Sequence, residues 1–330
     1  MKKRTAYFPS LVALLLAALA CSLPGVAGNT PEPPAPPAAT EIPRATETPL
    51  PIPPTETAIP SPTVELPTPT LPVTHALVPA ASVTTGILHH DVVSVDTAVE
   101  KRAPYGDSYD VSLFERPFLQ DMSYVPDLDI ASYNISKDEK FYFVSIELVG
   151  SNPNNAMGIE YAVELDMNAD GFGDFIIVAR PPLGFEWTTD NVQVVQDTNR
   201  DTGGLSAEKS DAPLPGNGYD TVIFDSGRGP GDDPDLAWVR VNAGKYATVQ
   251  FAFKVSWAGP RFMYSVFADG GRKDISDYDY VDRLTKAEAG SPVRGDEDYP
   301  LKGLFAIDNT CRETQGMTGG GEEPKLCPRD

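Results

Sequence analysis

An all-β fold, an antiparallel β-sandwich of jelly-roll type, is predicted by three observations. Between residues 84 and 272 short apolar runs recur, separated by Gly, Pro, Asp and Asn. One run sets Val249, Phe251, Phe253, Val255 and Trp257 against Gln250, Ala252, Lys254 and Ser256, the alternation of a strand with one buried face. No stretch of this region carries an apolar stripe at the helical period, which excludes the crossover helices that a parallel α/β sheet needs.

Residues 1–21 read as a lipoprotein signal peptide. Lys2, Lys3 and Arg4 make a basic start, and Leu11 to Ala20 an apolar stretch of ten. That is too short to cross a bilayer, which takes about 20 residues. The junction Ala18-Leu19-Ala20-Cys21 resembles a bacterial lipobox, although Ala18 stands where Leu is usual and Leu19 where a small residue is usual. The resemblance implies that Cys21 carries lipid and anchors an exported chain to the outer face of the bacterial cell membrane. Plain secretion with cleavage near Ala27 is the alternative.

Residues 22–83 follow as a stalk. They are dense in Pro and Thr and contain no aromatic residue, so they cannot bury a core and are expected to be a disordered, partly extended linker. The folded domain is expected over 84–272, with 273–330 as an irregular extension packed on it. Of three cysteines, lipidation of Cys21 leaves Cys311 and Cys327 to pair as a disulfide in an oxidising compartment, with two free thiols as the alternative.

Within the domain, 87–95 is expected as a first strand. It carries His89-His90-Asp91, but adjacent strand residues face opposite ways, so the His pair reads as structural. Residues 100–127 are rich in aromatics without a period and read as a loop packed on the core. Further strands are expected over 127–135, 141–148, 161–165, 175–179, 191–195, 219–224, 237–241, 249–257 and 262–268. A short helix is expected near 284–289.

The chemistry is most legible in the loop 166–174. Asp166, Asn168 and Asp170 place oxygens at alternate positions before Gly171, the first half of an EF-hand-type Ca²⁺ loop. The Phe172 carbonyl and Asp174 complete the expected ligand set. The twelfth position is Ile177 rather than Glu and the flanks are strands, so a helix–loop–helix sensor is excluded. A turn between two strands is the plainer reading. Asp197, Asn199 and Asp201 repeat the alternation more weakly before Gly203, which reads as an Asx-rich turn, with a second cation loop or a carboxylate lent to the first site as the alternatives.

A formal net charge of −21 repels phosphate backbones and excludes nucleic acid as a partner. No G-x-S-x-G or H-E-x-x-H motif is present. Trp187 and Trp238 are the expected contacts for a glycan or cell-wall polymer. A structural or adhesive envelope protein is the alternative. A glycoside hydrolase using Glu160 with Glu164 is a further one, whose carboxyl separation sequence does not supply.

Four short runs stand in order along the domain: Asp127-Leu-Asp129-Ile130, Lys140-Phe-Tyr-Phe-Val-Ser-Ile146, Tyr161-Ala-Val-Glu164 and Phe267-Ala-Asp269. Residues 125–270 thereby resemble the superfamily of family-9 carbohydrate-binding modules and DOMON-like sandwiches. The whole also resembles stalked bacterial envelope lipoproteins. The resemblance implies a jelly-roll sandwich and ligand binding, with no evident Met/His pair for haem.

Overall fold

A computed structural model of the chain describes residues 72–104, 113–203, 216–242, 244–278, 283–320, 323 and 325–327. The expected signal peptide with Cys21, and the stalk as far as residue 71, lie outside the described residues.

The strands run, in chain order, β1 (His89–His90), β2 (Phe114–Arg116), β3 (Ile130–Lys137), β4 (Phe141–Leu148), β5 (Glu160–Asp166), β6 (Phe175–Ala179) and β7 (Val192–Gln196). They continue with β8 (Thr221–Asp225), β9 (Ala237–Asn242), β10 (Thr248–Lys254), β11 (Phe262–Asp269), β12 (Ile307–Asn309) and β13 (Glu313–Gln315). Among the described residues two short α-helices accompany them, α1 (Val255–Ala258) and α2 (Lys286–Ala289). One sheet has the order β1-β3-β4-β10-β9. The other runs β2-β12-β11-β5-β6-β7-β8, with β13 also pairing β11. Strand pairing is antiparallel in both sheets, as the alternating pattern predicts.

Alternation sets the packing. In β4, Tyr142, Val144, Ile146 and Leu148 point between the sheets and meet Tyr161, Val163 and Leu165 of β5 and Tyr264 and Val266 of β11 in one core. Phe141 and Phe143, on the opposite face of β4, join Trp238 and Ala252 in a separate cluster outside the first sheet. Leu77 and Val83 pack against it. The outward residues of the second sheet, Ala162, Ile176, Val178 and Phe267, are capped by Ile275, Tyr278, Ala289 and Leu304. Both sheets are therefore covered on both faces, which explains why their strands carry few exposed positions.

Several expectations are corrected. The stalk does not extend to residue 83. His75 Nδ1 and the amides of Ala76 and Leu77 bond the Asp235 carboxylate, while Ala80 and Ala81 accept from Trp187 and Arg240. Of residues 87–95 only His89–His90 pair as a strand. The loop 100–127 contains β2. The strand expected over 249–257 ends at Lys254. The chain then winds into α1, and Gly259 leaves it at φ 71°. The region 273–330 is not simply an irregular extension, since β12 lies inside the second sheet between β2 and β11. The expected disulfide is present, with Cys311 and Cys327 Cα atoms 4.9 Å apart.

Candidate cation-binding loops

Because β6 lies between β5 and β7, the β5–β6 loop and the start of the β7–β8 connection leave the second sheet at the same end. The two predicted loops, 166–174 and 197–203, therefore touch. Phe172 and Gly203 form an isolated bridge, the Gly173 amide donates to the Thr202 carbonyl (2.9 Å), and the Asp197 amide to the Asp174 carbonyl (3.0 Å).

The loops are wound alike. Asp166 accepts from the amides of Asp170 (3.2 Å) and Gly171 (2.9 Å). Asp197 accepts from those of Asn199 (3.1 Å), Arg200 (2.8 Å) and Thr202 (2.8 Å). Each chain passes through a left-handed residue in the fourth place, Ala169 at φ 59° and Arg200 at φ 60°. Each then meets a glycine that must also be left-handed, Gly171 at φ 92° and Gly203 at φ 95°. Short Asp and Asn side chains folding back on amides make such turns without a sheet partner.

Behind the loops sits a buried lattice of charge. Arg312, from the segment between β12 and β13, is 1% exposed. Its Nε and Nη2 each donate to Glu164 at 2.9 Å, and its Nη1 to Asp166 at 2.9 Å. Tyr219 Oη (2.7 Å) and Ser265 Oγ (2.8 Å) donate to the same Glu164 carboxylate. Burial raises the Glu164 pKa, but the Arg312 guanidinium outweighs it and holds the carboxyl down at about 2. Gly173 presses on this lattice: a Cβ there would lie 2.1 Å from Tyr219 Oη and 2.5 Å from Glu164 Oε1. In front, the exposed Arg200 pairs with Asp170 and lies over the Phe172 ring at 4.9 Å. Burial pushes the Asp166 and Asp174 carboxyls up, and the charges of Asp166 and Asp170 add to the effect on Asp174.

The expected ligands thus have partners within the protein. Asn168 Oδ1 accepts from the Asp170 amide (3.0 Å), Asp170 Oδ1 from the Phe172 amide (3.1 Å), and Asp174 Oδ2 from the Met167 amide (2.6 Å). Asp201 Oδ2 accepts from the Asn217 amide (2.8 Å), and its Oδ1 is buried without a hydrogen-bond partner among the described residues. Ile177, at the twelfth position, is buried in the core. Asn168, Asp170 and Asp174 lie toward the solvent side of the loop, where Arg200 pairs with Asp170. Asp166 faces inward, to Arg312.

The aromatic candidates divide. Trp238 is 2% exposed, packs among Phe141, Phe143 and Ala252, and donates its indole N–H to the Asp235 carbonyl. It presents no face to a glycan in this fold, which corrects its expected role. Trp187 is half-buried under the Arg240 guanidinium, 4.5 Å from its ring, and Phe185 on the same loop is exposed. Glu160 and Glu164 share the outer face of β5 but bond different partners, Arg180 and Tyr278 for the first and Arg312 for the second. A carboxyl held at about 2 stays ionised at neutral pH and is unsuited to protonate a leaving group.

Sequence reasoning missed Arg312, because arginine is ordinarily a surface residue and its partners lie some 150 positions earlier in the chain, at separations of 148 and 146. It also missed Glu115, Asp129 and Asp308, three carboxylates that the fold gathers between the sheets. Comparison of the chain with protein-family models, curated proteins and solved structures found no match.

Proposed function

We propose that the chain is a binding module displayed on the bacterial cell envelope, lipid-anchored through Cys21 and stabilised by Ca²⁺ at the paired 166–174 and 197–203 loops. The observation that carries this reading is the pairing itself. Two D-x-N-x-D segments, distant in sequence and wound alike, meet at one end of a sheet with more carboxylate than guanidinium charge around them. A hard cation bound by Asn168, Asp170 and Asp174 would offset that charge and fix both loops. The partner is a glycan or envelope polymer, met by Phe185 and Trp187 on the loop that lies against β9. The resemblance of residues 125–270 to carbohydrate-binding sandwiches supports that choice.

A structural or adhesive role, with Ca²⁺ serving the fold alone, is the second reading. The burial of Trp238 and the Arg240 cover over Trp187 favour it.

Thermal melts test the cation. Ca²⁺ at 100 times its Kd should stabilise the wild type by about 2.7 kcal/mol over EDTA. Asp170→Ala should gain less than the wild type by about that amount, and a Ca²⁺ response equal in the two would sink the loop assignment. A screen against glycans and cell-wall polymers, run in Ca²⁺ and in EDTA, separates the two readings. Retention of a polymer that Trp187→Ala abolishes is expected of a binding module, and no retention in either condition is expected of a structural one.

A further inference from the structure

We propose that Glu115, Asp129 and Asp308 form a second Ca²⁺ site, buried between the sheets and independent of the 166–174 loop. Glu115 on β2 and Asp308 on β12 are direct cross-strand partners. Asp129 immediately precedes β3 of the other sheet, and the Ile130 amide next to it donates to Asp308 Oδ2 at 2.6 Å. All three side chains are at most 1% exposed. Like charges opposite one another in a sheet repel, and burial removes the water that would screen them.

A cluster of carboxylates is not in itself a site. The second observation is the state of its oxygens. Asp129 Oδ2 accepts from the Ser94 amide (2.9 Å) and Tyr124 Oη (2.5 Å), but Asp129 Oδ1 has no hydrogen-bond partner among the described residues. The same holds for Asp308 Oδ1 and for the hydroxyl of the fully buried Ser94, whose amide grips Asp129. Buried polar atoms left so are rare, and each costs free energy unless something meets it.

Arg116 donates from both Nη atoms to the carbonyls of Ala289, Gly290 and Leu304, and Arg312 donates to Glu164 and Asp166. A cation among three buried carboxylates so placed would offset their mutual repulsion.

One oxygen from each carboxylate lies within 4.8 Å of the others, close enough for one Ca²⁺ with oxygen ligands at about 2.3–2.6 Å to meet all three. An all-oxygen, carboxylate-rich set disfavours softer metals. A bound ion would join four separated parts of the chain, the 91–94 segment, β2, the start of β3 and β12.

The test uses the full chain, stripped with chelator and titrated with CaCl₂ or MgCl₂ by calorimetry. Ca²⁺ should bind at this site in wild type and in Asp170→Ala alike, so failure of the loop reading leaves it untouched. Asp308→Asn, which keeps an acceptor for the Ile130 amide, and Glu115→Gln should each lower one Ca²⁺ affinity at least 100-fold. Unchanged stoichiometry and affinity in both would overturn the proposal. So would a wild type that binds no Ca²⁺ and is stabilised by Asp308→Asn, the result expected if protons hold the cluster. The wild-type chain gives a reading that needs no variant to fold. Ca²⁺ should slow amide hydrogen exchange at Ser94 and Ile130 at least tenfold, beyond any effect of Mg²⁺, and exchange there that ignores Ca²⁺ overturns the site.

Discussion

Replacing Arg312 with alanine is expected to destabilise the fold by about 3–5 kcal/mol, the usual consequence of removing one partner from a buried ion pair. The argument is one of stranded charge. Arg312 is 1% exposed and supplies three hydrogen bonds to two buried carboxylates, Glu164 and Asp166. Without it Glu164 retains Tyr219 and Ser265 as donors but no guanidinium. For a chain of this size the loss corresponds to roughly 6–20 °C in Tm. Arg312→Lys should recover only part, because an ammonium cannot match the fork that grips both Glu164 oxygens. The pH dependence identifies the cause. In the wild type the Glu164 carboxyl is depressed from 4.5 to about 2, so its share of stability is fully present above pH 4.5 and is lost as pH falls toward 2. In Arg312→Ala burial, the largest influence on Glu164, is opposed by Lys325 and the Tyr219 hydroxyl but no longer by Arg312, and the carboxyl rises. That variant's deficit should therefore shrink as pH falls from about 5 toward 2, in denaturant titrations read at each pH. A deficit below about 1 kcal/mol at pH 7, or one that does not change with pH, would refute the assigned role.

How far the fold was legible follows from the length and exposure of each strand. β4, β6 and β9 were readable because each alternates or runs apolar over five or more residues, long enough to show a period. β2, β12 and β13 have three residues each, too few for any period, and they pair with distant strands. Their pairing depends on what the rest of the sheet offers. The end of β10 was misplaced for a related reason. Val255 and Trp257 continue its alternation, yet Trp257 reaches Phe175 and Phe253 from a helical turn (centroids 5.1 and 6.2 Å). An alternating pair does not reveal that the backbone has already turned.

The candidate site divides in the same way. Local chemistry was readable: Asp166, Asn168, Asp170 and Gly171 announce a tight oxygen-lined turn, and Asp197 to Gly203 announce another. Their contact was not, because adjacency of β5, β6 and β7 decides it. Nor was the identity of the groups that answer the carboxylates. Arg200 stands between Asn199 and Asp201 in the second motif, and it is the residue that reaches across to Asp170.

The second large effect concerns the clamp on Arg312. Replacing Cys311 and Cys327 with serine is expected to cost about 3 kcal/mol, since the bridge closes a loop whose ends are 16 residues apart. Chain entropy alone would make that cost independent of Arg312, but the structure ties the two together. Arg312 follows Cys311 directly. Its amide donates to the Lys325 carbonyl (2.8 Å), and the Cys327 amide donates to its carbonyl (2.9 Å). Tyr133 Oη, from the other sheet, lies 3.3 Å from Cys327 Sγ. The disulfide thus closes a short two-sided frame around the residue that neutralises Glu164 and Asp166. Opening it frees the backbone that positions the guanidinium as well as relaxing the unfolded-state constraint. A double-mutant cycle should therefore be non-additive. Arg312→Ala should cost at least 1 kcal/mol less in the Cys311→Ser/Cys327→Ser background than in the intact chain, as expected for residues acting through one another. Equal costs in the two backgrounds, measured by urea unfolding at pH 7, would mean that the bridge acts on the unfolded chain alone and that Arg312 holds its place by its carboxylates without help.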